Sequence, residues 1–176
     1  VEKGEIVFDC GSAEGIFSLL TYSRAGKIYA FEPLNDYLDG LKKTFANIEN
    51  VNIINEALGD RIGKSYFNVG GIASSISQLK TDCEVSINTI DNFAVTNSTE
   101  VNYIKADIEG YEMQLMIGAA ESIIKFKPKI AITVYHKEND VTQIKSYLKK
   151  LVPGYKFQTK GITESIKNPV MLHAWI

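Results

Sequence analysis

Residues 5–20 read Glu5-Ile6-Val7-Phe8-Asp9-Cys10-Gly11-Ser12-Ala13-Glu14-Gly15-Ile16-Phe17-Ser18-Leu19-Leu20. A short apolar run stops at an acid, a turn carrying two glycines follows, and a second apolar segment begins at Ile16. That order predicts a strand, a tight turn and a helix. The Asp-x-Gly-x-x-x-Gly spacing differs from the dinucleotide fingerprint Gly-x-Gly-x-x-Gly. Glycines belong where a ligand passes against the backbone or φ turns positive.

Outward from this unit, Gly26 is a helix stop, and Lys27–Phe31 is a second strand ending at Glu32-Pro33. Leu34, Leu38, Leu41, Phe45 and Ile48 recur at helical spacing, and a third strand follows at Val51–Asn55. A fourth, Val101–Ala106, ends at Asp107. Residues 61–100 between them are rich in Ser, Asn, Gly and Thr. Their alternating stretches Tyr66–Val69 and Val85–Ile90 predict extra strands or loops in place of a crossover helix. Such insertions are where specificity is grafted. Short helices over Glu112–Phe126, a strand Ile130–Tyr135 and a helix with Asp140 as N-cap complete the alternation, and Pro153-Gly154 stops that helix. Tyr155–Thr159 and Val170–Ile176 are placed to pair antiparallel. The whole is expected to be one α/β domain over 1–176, a doubly wound, Rossmann-like sandwich. Its sheet is mostly parallel, and its ligand lies beyond the carboxyl ends of the strands.

Composition narrows the partners. The chain is 176 residues long with 19 Lys plus Arg against 21 Asp plus Glu, a net charge of -2. It lacks the basic excess that drives sequence-independent nucleic-acid binding. No apolar run reaches the roughly 18–20 residues of a membrane span, and Val-Glu-Lys-Gly-Glu does not open a secretory signal. A cytoplasmic protein is expected, with no membrane insertion and an oligomeric state that the sequence leaves open. Two cysteines, Cys10 and Cys83, make neither a disulfide framework nor a metal cluster. With Val rather than Met at position 1, the chain is expected to be part of a longer one that has further N-terminal residues.

The strand ends carry the chemistry. In the first turn, Asp9 can hold an ammonium group directly or through water, with Gly11, Ser12, Glu14 and Gly15 around it. The helix N-terminus behind favours a carboxylate. A ligand bearing both groups matches the methionyl end of S-adenosylmethionine. Glu32, with Pro33, stands where an acid accepts from ribose hydroxyls, and Glu56 with Ala57 can take an adenine amine and ring. Glu32 is equally a helix-start acid ahead of Pro33, and Glu56 an ordinary exposed acid.

DCGSAEG at 9–15, AFEP at 30–33, NEALGD at 55–60 and IKADIEGYE at 104–112, in this order, resemble the FkbM-type family of S-adenosylmethionine-dependent methyltransferases. Gly118-Ala119, Lys127-Pro128 and His136 extend the likeness over nearly the whole chain. Ala13, where the family often has Asn, and Glu14, where it is often apolar, depart from it. The resemblance implies a class I methyltransferase sandwich, its seven-stranded sheet parallel except for an antiparallel last strand. It also implies S-adenosylmethionine as cofactor and methyl transfer mostly to hydroxyl oxygens of sugars, glycans or small natural products.

A base for the acceptor proton must lie beside the fourth and fifth strand ends. Asp107, which also borders the donor, and Glu109 are two residues apart and share one side of an extended strand. His136 ends the neighbouring strand, and His136 or Glu109 is the expected base. The same three side chains can instead hold a divalent metal; without a spacing motif, none is assigned. Helix capping for the two acids and a partly buried ring for His136 are the structural alternatives. Lys105 reads as a surface or stem-packed lysine, His173 as structural, and Lys145, Lys149 and Lys150 as a solvated helix face. Two other functions fit the pattern: a methyltransferase-like binding module without catalysis, and, less well, an NAD-dependent oxidoreductase.

Overall fold

Val7, Phe8 and Cys10 are fully buried, as in a strand covered by helices on both faces. In the computed structural model, which describes residues 1–68, 75–77, 83–162 and 169–176, they lie on β1 (Ile6–Cys10). The turn leads into α1 (Ile16–Thr21), then β2 (Lys27–Phe31), α2 (Asn35–Thr44) and β3 (Val51–Ile54). The chain continues through β4 (Ala57–Leu58), β5 (Gly63–Asn68), β6 (Ser75–Ser77), β7 (Cys83–Asn88) and α3 (Ile90–Thr96). It then forms β8 (Tyr103–Ala106), α4 (Glu112–Ile117), α5 (Ala120–Phe126), β9 (Lys129–Thr133), α6 (Asp140–Leu151), β10 (Lys156–Lys160) and β11 (Met171–Trp175).

The main sheet has seven strands in the order β10-β11-β9-β8-β1-β2-β3. Pairings β9–β8, β8–β1, β1–β2 and β2–β3 are parallel, while β11 runs antiparallel to both neighbours. The expected doubly wound sandwich with an antiparallel last strand is therefore present. The strand order reverses beside β1: the chain runs outward through β2 and β3, then returns to lay β8 and β9 on the other side, so a crevice opens beyond the carboxyl ends of β1 and β8. Phe8, Tyr29, Phe31 and Phe93 lock β1 and β2 to α3, with Phe93 edge-on to Tyr29 and Phe31 at 4.9 Å.

The insertion forms a second sheet of four strands, β4-β7-β5-β6. Val69 of the expected Tyr66–Val69 strand lies outside the described residues, as does 163–168 between the closing strands. Two expectations are corrected. Ile90 does not end a strand but opens α3, because the Thr89 side chain accepts from Asn92 N at 3.0 Å and caps a helix there. Asp140 is the first residue of α6 rather than its cap. Asn139 takes the cap with φ 73°, and the Asp140 carboxylate accepts from Lys137 N at 3.1 Å. Among the described residues no helix is long and apolar enough to cross a membrane.

Candidate active site

A cleft of about 320 Å³ lies over the carboxyl ends of β1, β2 and β8 and over β4, within the usual range of small-molecule sites. Its floor depends on Gly11, at φ +74°, where a Cβ would collide with the Asp107 carbonyl oxygen. Only a residue without a side chain lets the β1 and β8 loops cross. At Gly15, φ +79°, a Cβ would stand 2.7 Å from Leu41 and Phe45, so this glycine seats α1 against α2. Of the residues expected to bind cofactor, Gly11, Glu14, Glu32, Pro33, Glu56, Ala57 and Asp107 line the cleft. Asp9, Ser12 and Gly15 sit behind it.

Asp9 differs most from expectation. It is fully buried; Ser18 Oγ donates to its Oδ2 at 2.7 Å, and Lys105 Nζ pairs with its Oδ1 at 3.0 Å. Lys105 Nζ also donates to Gly11 O at 2.7 Å. Lys105 is thus neither a surface nor a merely stem-packed lysine. Asp9 and Lys105 are register partners on adjacent parallel strands, a juxtaposition that residues 96 positions apart do not announce. With its charge committed, Asp9 holds the glycine turn from behind and does not line the cleft. Ser12 is buried as well, its N donating to Phe31 O at 3.0 Å.

Glu32 joins the two loops that frame the cleft. Its Oε2 accepts from Ala13 N at 2.9 Å and its Oε1 from Leu34 N at 3.0 Å. Each oxygen keeps a lone pair for a further donor. Burial pushes its pKa up, and the two N–H groups oppose that rise. Glu32 therefore performs its helix-start role and still faces the cleft. Glu56 accepts from Asn88 Nδ2 at 2.9 Å, while Ala57, Leu58 and Phe67 form an apolar wall beside it.

At the other end stand Asp107, Glu109 and His136, the residues expected beside the acceptor. β8 stops at Ala106, and Glu109 (φ 55°) and Gly110 (φ 91°) form a turn. Asp107 and Glu109 are therefore not mates on an extended strand, yet the turn brings both to His136. Nε2 of His136 lies 3.2 Å from Glu109 Oε2 and 3.9 Å from Asp107 Oδ1, and Nδ1 lies 3.0 Å from Glu112 Oε1. These are charge contacts, bent away from hydrogen-bond alignment. Burial alone would lower the His136 pKa, but Glu112, Glu109 and Asp107 outweigh it and the net shift is upward. Glu109 is pushed up by burial and by its neighbouring carboxylates against the pull of His136. Glu112, 1% exposed, would be raised by burial but is brought down by His136 and by backbone N–H donors. Nothing local in the sequence gives Glu112 a role, because an acid in the first turn of a helix is ordinarily favoured there by the helix dipole alone. The Thr133 hydroxyl, 3.1 Å from both Asp107 Oδ1 and Glu112 Oε1, ties the set to β9.

A doubly wound sheet with this strand order, carrying a cleft that runs from a glycine turn past a strand-end acid, is the architecture of Rossmann-like methyltransferases. The Methyltransferase FkbM domain matches residues 9–157, and the chain belongs to that family. It is similar to hexuronic acid methyltransferase AglP of Haloferax volcanii, 26% identical over 127 residues that make up 69% of this chain and 53% of that protein. The chain thus spans about half the length of this curated relative. Its fold is shared with the crystal structure of methyltransferase FkbM from Methylobacillus flagellatus KT (TM-score 0.78, 19% identity, 99% of this chain and 44% of that one). The fold also recurs in Aeropyrum pernix fibrillarin with natively bound S-adenosyl-L-methionine (TM-score 0.60, 13% identity, 98% of this chain and 67% of that one).

Proposed function

We propose that residues 1–176 form one methyltransferase domain that uses S-adenosylmethionine to methylate a hydroxyl oxygen of a sugar, glycan or small natural product. The observation that carries this reading is the continuity of the cleft: Glu32 and Glu56 stand at one end and Asp107 and Glu109 at the other. The residues fit the cofactor. Glu32 has free lone pairs for ribose hydroxyls, Glu56 with Ala57 and Leu58 offers an acceptor beside an apolar wall for adenine, and the exposed Glu14 offers charge for the ammonium that Asp9 does not meet. The bound cofactor supplies an electrophilic methyl group on a sulfonium.

The chain's own work is placement and proton management. Glu109 lines the cleft with a 27% exposed side chain, whereas His136 is 10% exposed and enclosed by carboxylates. Glu109 therefore takes the proton as the acceptor oxygen gains the methyl group, and His136 positions it. The products are a methyl ether, a thioether and a protonated Glu109. A hexuronic acid methyltransferase among the relatives directs the first acceptor trials to uronic-acid glycans.

The test uses methyl-labelled S-adenosylmethionine with uronic-acid oligosaccharides and hydroxylated natural products. Alkali-stable label on the acceptor supports ether formation at a hydroxyl; alkali-labile label marks a methyl ester and corrects the acceptor atom. Donor binding without transfer to any acceptor would favour the binding-module reading.

A further inference from the structure

We infer that Asp107, Glu109 and His136 form a site for a divalent transition-metal cation, Mn²⁺ in class, that holds the acceptor oxygen at the end of the donor cleft, Glu109 ligating through one carboxylate oxygen and keeping the other for the acceptor proton. This rests on the methyltransferase reading. One ligand atom from each residue lies within 4.8 Å of the others. Metal–ligand distances near 2.1 Å put adjacent ligands of an octahedral ion about 3.0 Å apart, and His136 Nε2 is 3.2 Å from Glu109 Oε2 and 3.9 Å from Asp107 Oδ1.

The imidazole supplies a second observation, separate from the acids. His136 is 10% exposed, both ring nitrogens are shut off from solvent, and neither has an aligned hydrogen-bond partner. A buried, unpartnered nitrogen is costly unless something binds it, and Nε2 faces the two acids. On the opposite side, Glu112 Oε1 stands 3.0 Å from Nδ1, close enough that a small turn of the ring onto a metal would let this carboxylate accept from Nδ1 and fix the tautomer. One imidazole with two carboxylates suits Mn²⁺, Fe²⁺ or Zn²⁺ better than an all-oxygen ion. Asp107, 41% exposed and lining the cleft, leaves that side of the ion open for an acceptor oxygen.

The test is Mn²⁺ binding to this chain by paramagnetic resonance, with S-adenosylhomocysteine binding measured on the same samples. Saturable binding of one Mn²⁺ per chain is expected, weakened at least tenfold in D107N and in H136Q, and in E112Q by 10- to 100-fold. Circular dichroism confirms that each variant is folded, and E112Q keeps the test open if H136Q is not. Absence of saturable Mn²⁺ binding overturns the site, as does binding undiminished in the folded variants. Homocysteine-product binding without Mn²⁺ binding rejects the cation alone. The converse rejects the donor reading and leaves the cation site standing.

Discussion

Lys105 and Asp9 form a nearly enclosed ion pair across β8 and β1, with Lys105 16% and Asp9 0% exposed in their side chains. Because the same ammonium reaches Gly11 O, this pair fixes the glycine turn from behind. Removing one partner strands the other charge. Lys105→Met is expected to cost about 3 kcal/mol of stability, read from urea unfolding. Asp9→Asn in the Lys105→Met background should recover part of that loss, because no uncompensated charge remains. Additive losses in the double variant would contradict the pairing.

Gly11→Ala tests the crossing of the two loops. Both its φ of +74° and the Asp107 carbonyl oppose a side chain, so a loss of about 2–4 kcal/mol is expected. Donor binding should weaken with it. A thermal midpoint equal to that of the wild type would mean that the loops do not approach as described.

Glu32 makes acidification act in opposite directions on stability and on binding. Its folded pKa is raised, with burial as the leading cause. Between the unfolded value near 4.5 and the raised folded value, the native state holds more protons than the unfolded one. The Glu32 contribution to stability therefore increases as pH falls through that window. Donor affinity should fall over the same window, since a protonated carboxyl has less acceptor capacity. Urea midpoints and donor titrations from neutral pH down to about 4.5, with Glu32→Ala subtracted, measure both slopes. Parallel slopes would contradict this placement of the group.

Glu109→Gln separates proton management from donor binding. Turnover should fall by about 10²–10⁴-fold, with affinity for S-adenosylhomocysteine held within a factor of about three. Unchanged turnover would remove Glu109 as the base.

The sheet was legible wherever a strand-forming run met an acid: β1, with Asp9 next to its end, and β8, ending one residue before Asp107, needed only local pattern. The acids lining the cleft were legible for the same reason, since Glu32 directly follows β2 and Glu56 lies two residues past the end of β3. What escaped depends on neighbours distant in sequence. Lys105 looked solvent-facing because its partner Asp9 is brought beside it only by strand pairing. Glu112 drew no role because nothing local shows that His136 and Thr133 close over it. Ile90 continued an alternating pattern that the Thr89 cap overrides.

The central claim is that the cleft binds S-adenosylmethionine through Glu32. Calorimetric titration of the wild type and Glu32→Ala with S-adenosylhomocysteine tests it most directly. The account predicts saturable one-to-one binding by the wild type, weakened by about 1.5–3 kcal/mol in the variant as the ribose hydrogen bonds to a charged acceptor are lost. Binding of equal strength in both proteins, or none by the folded wild type, would contradict it.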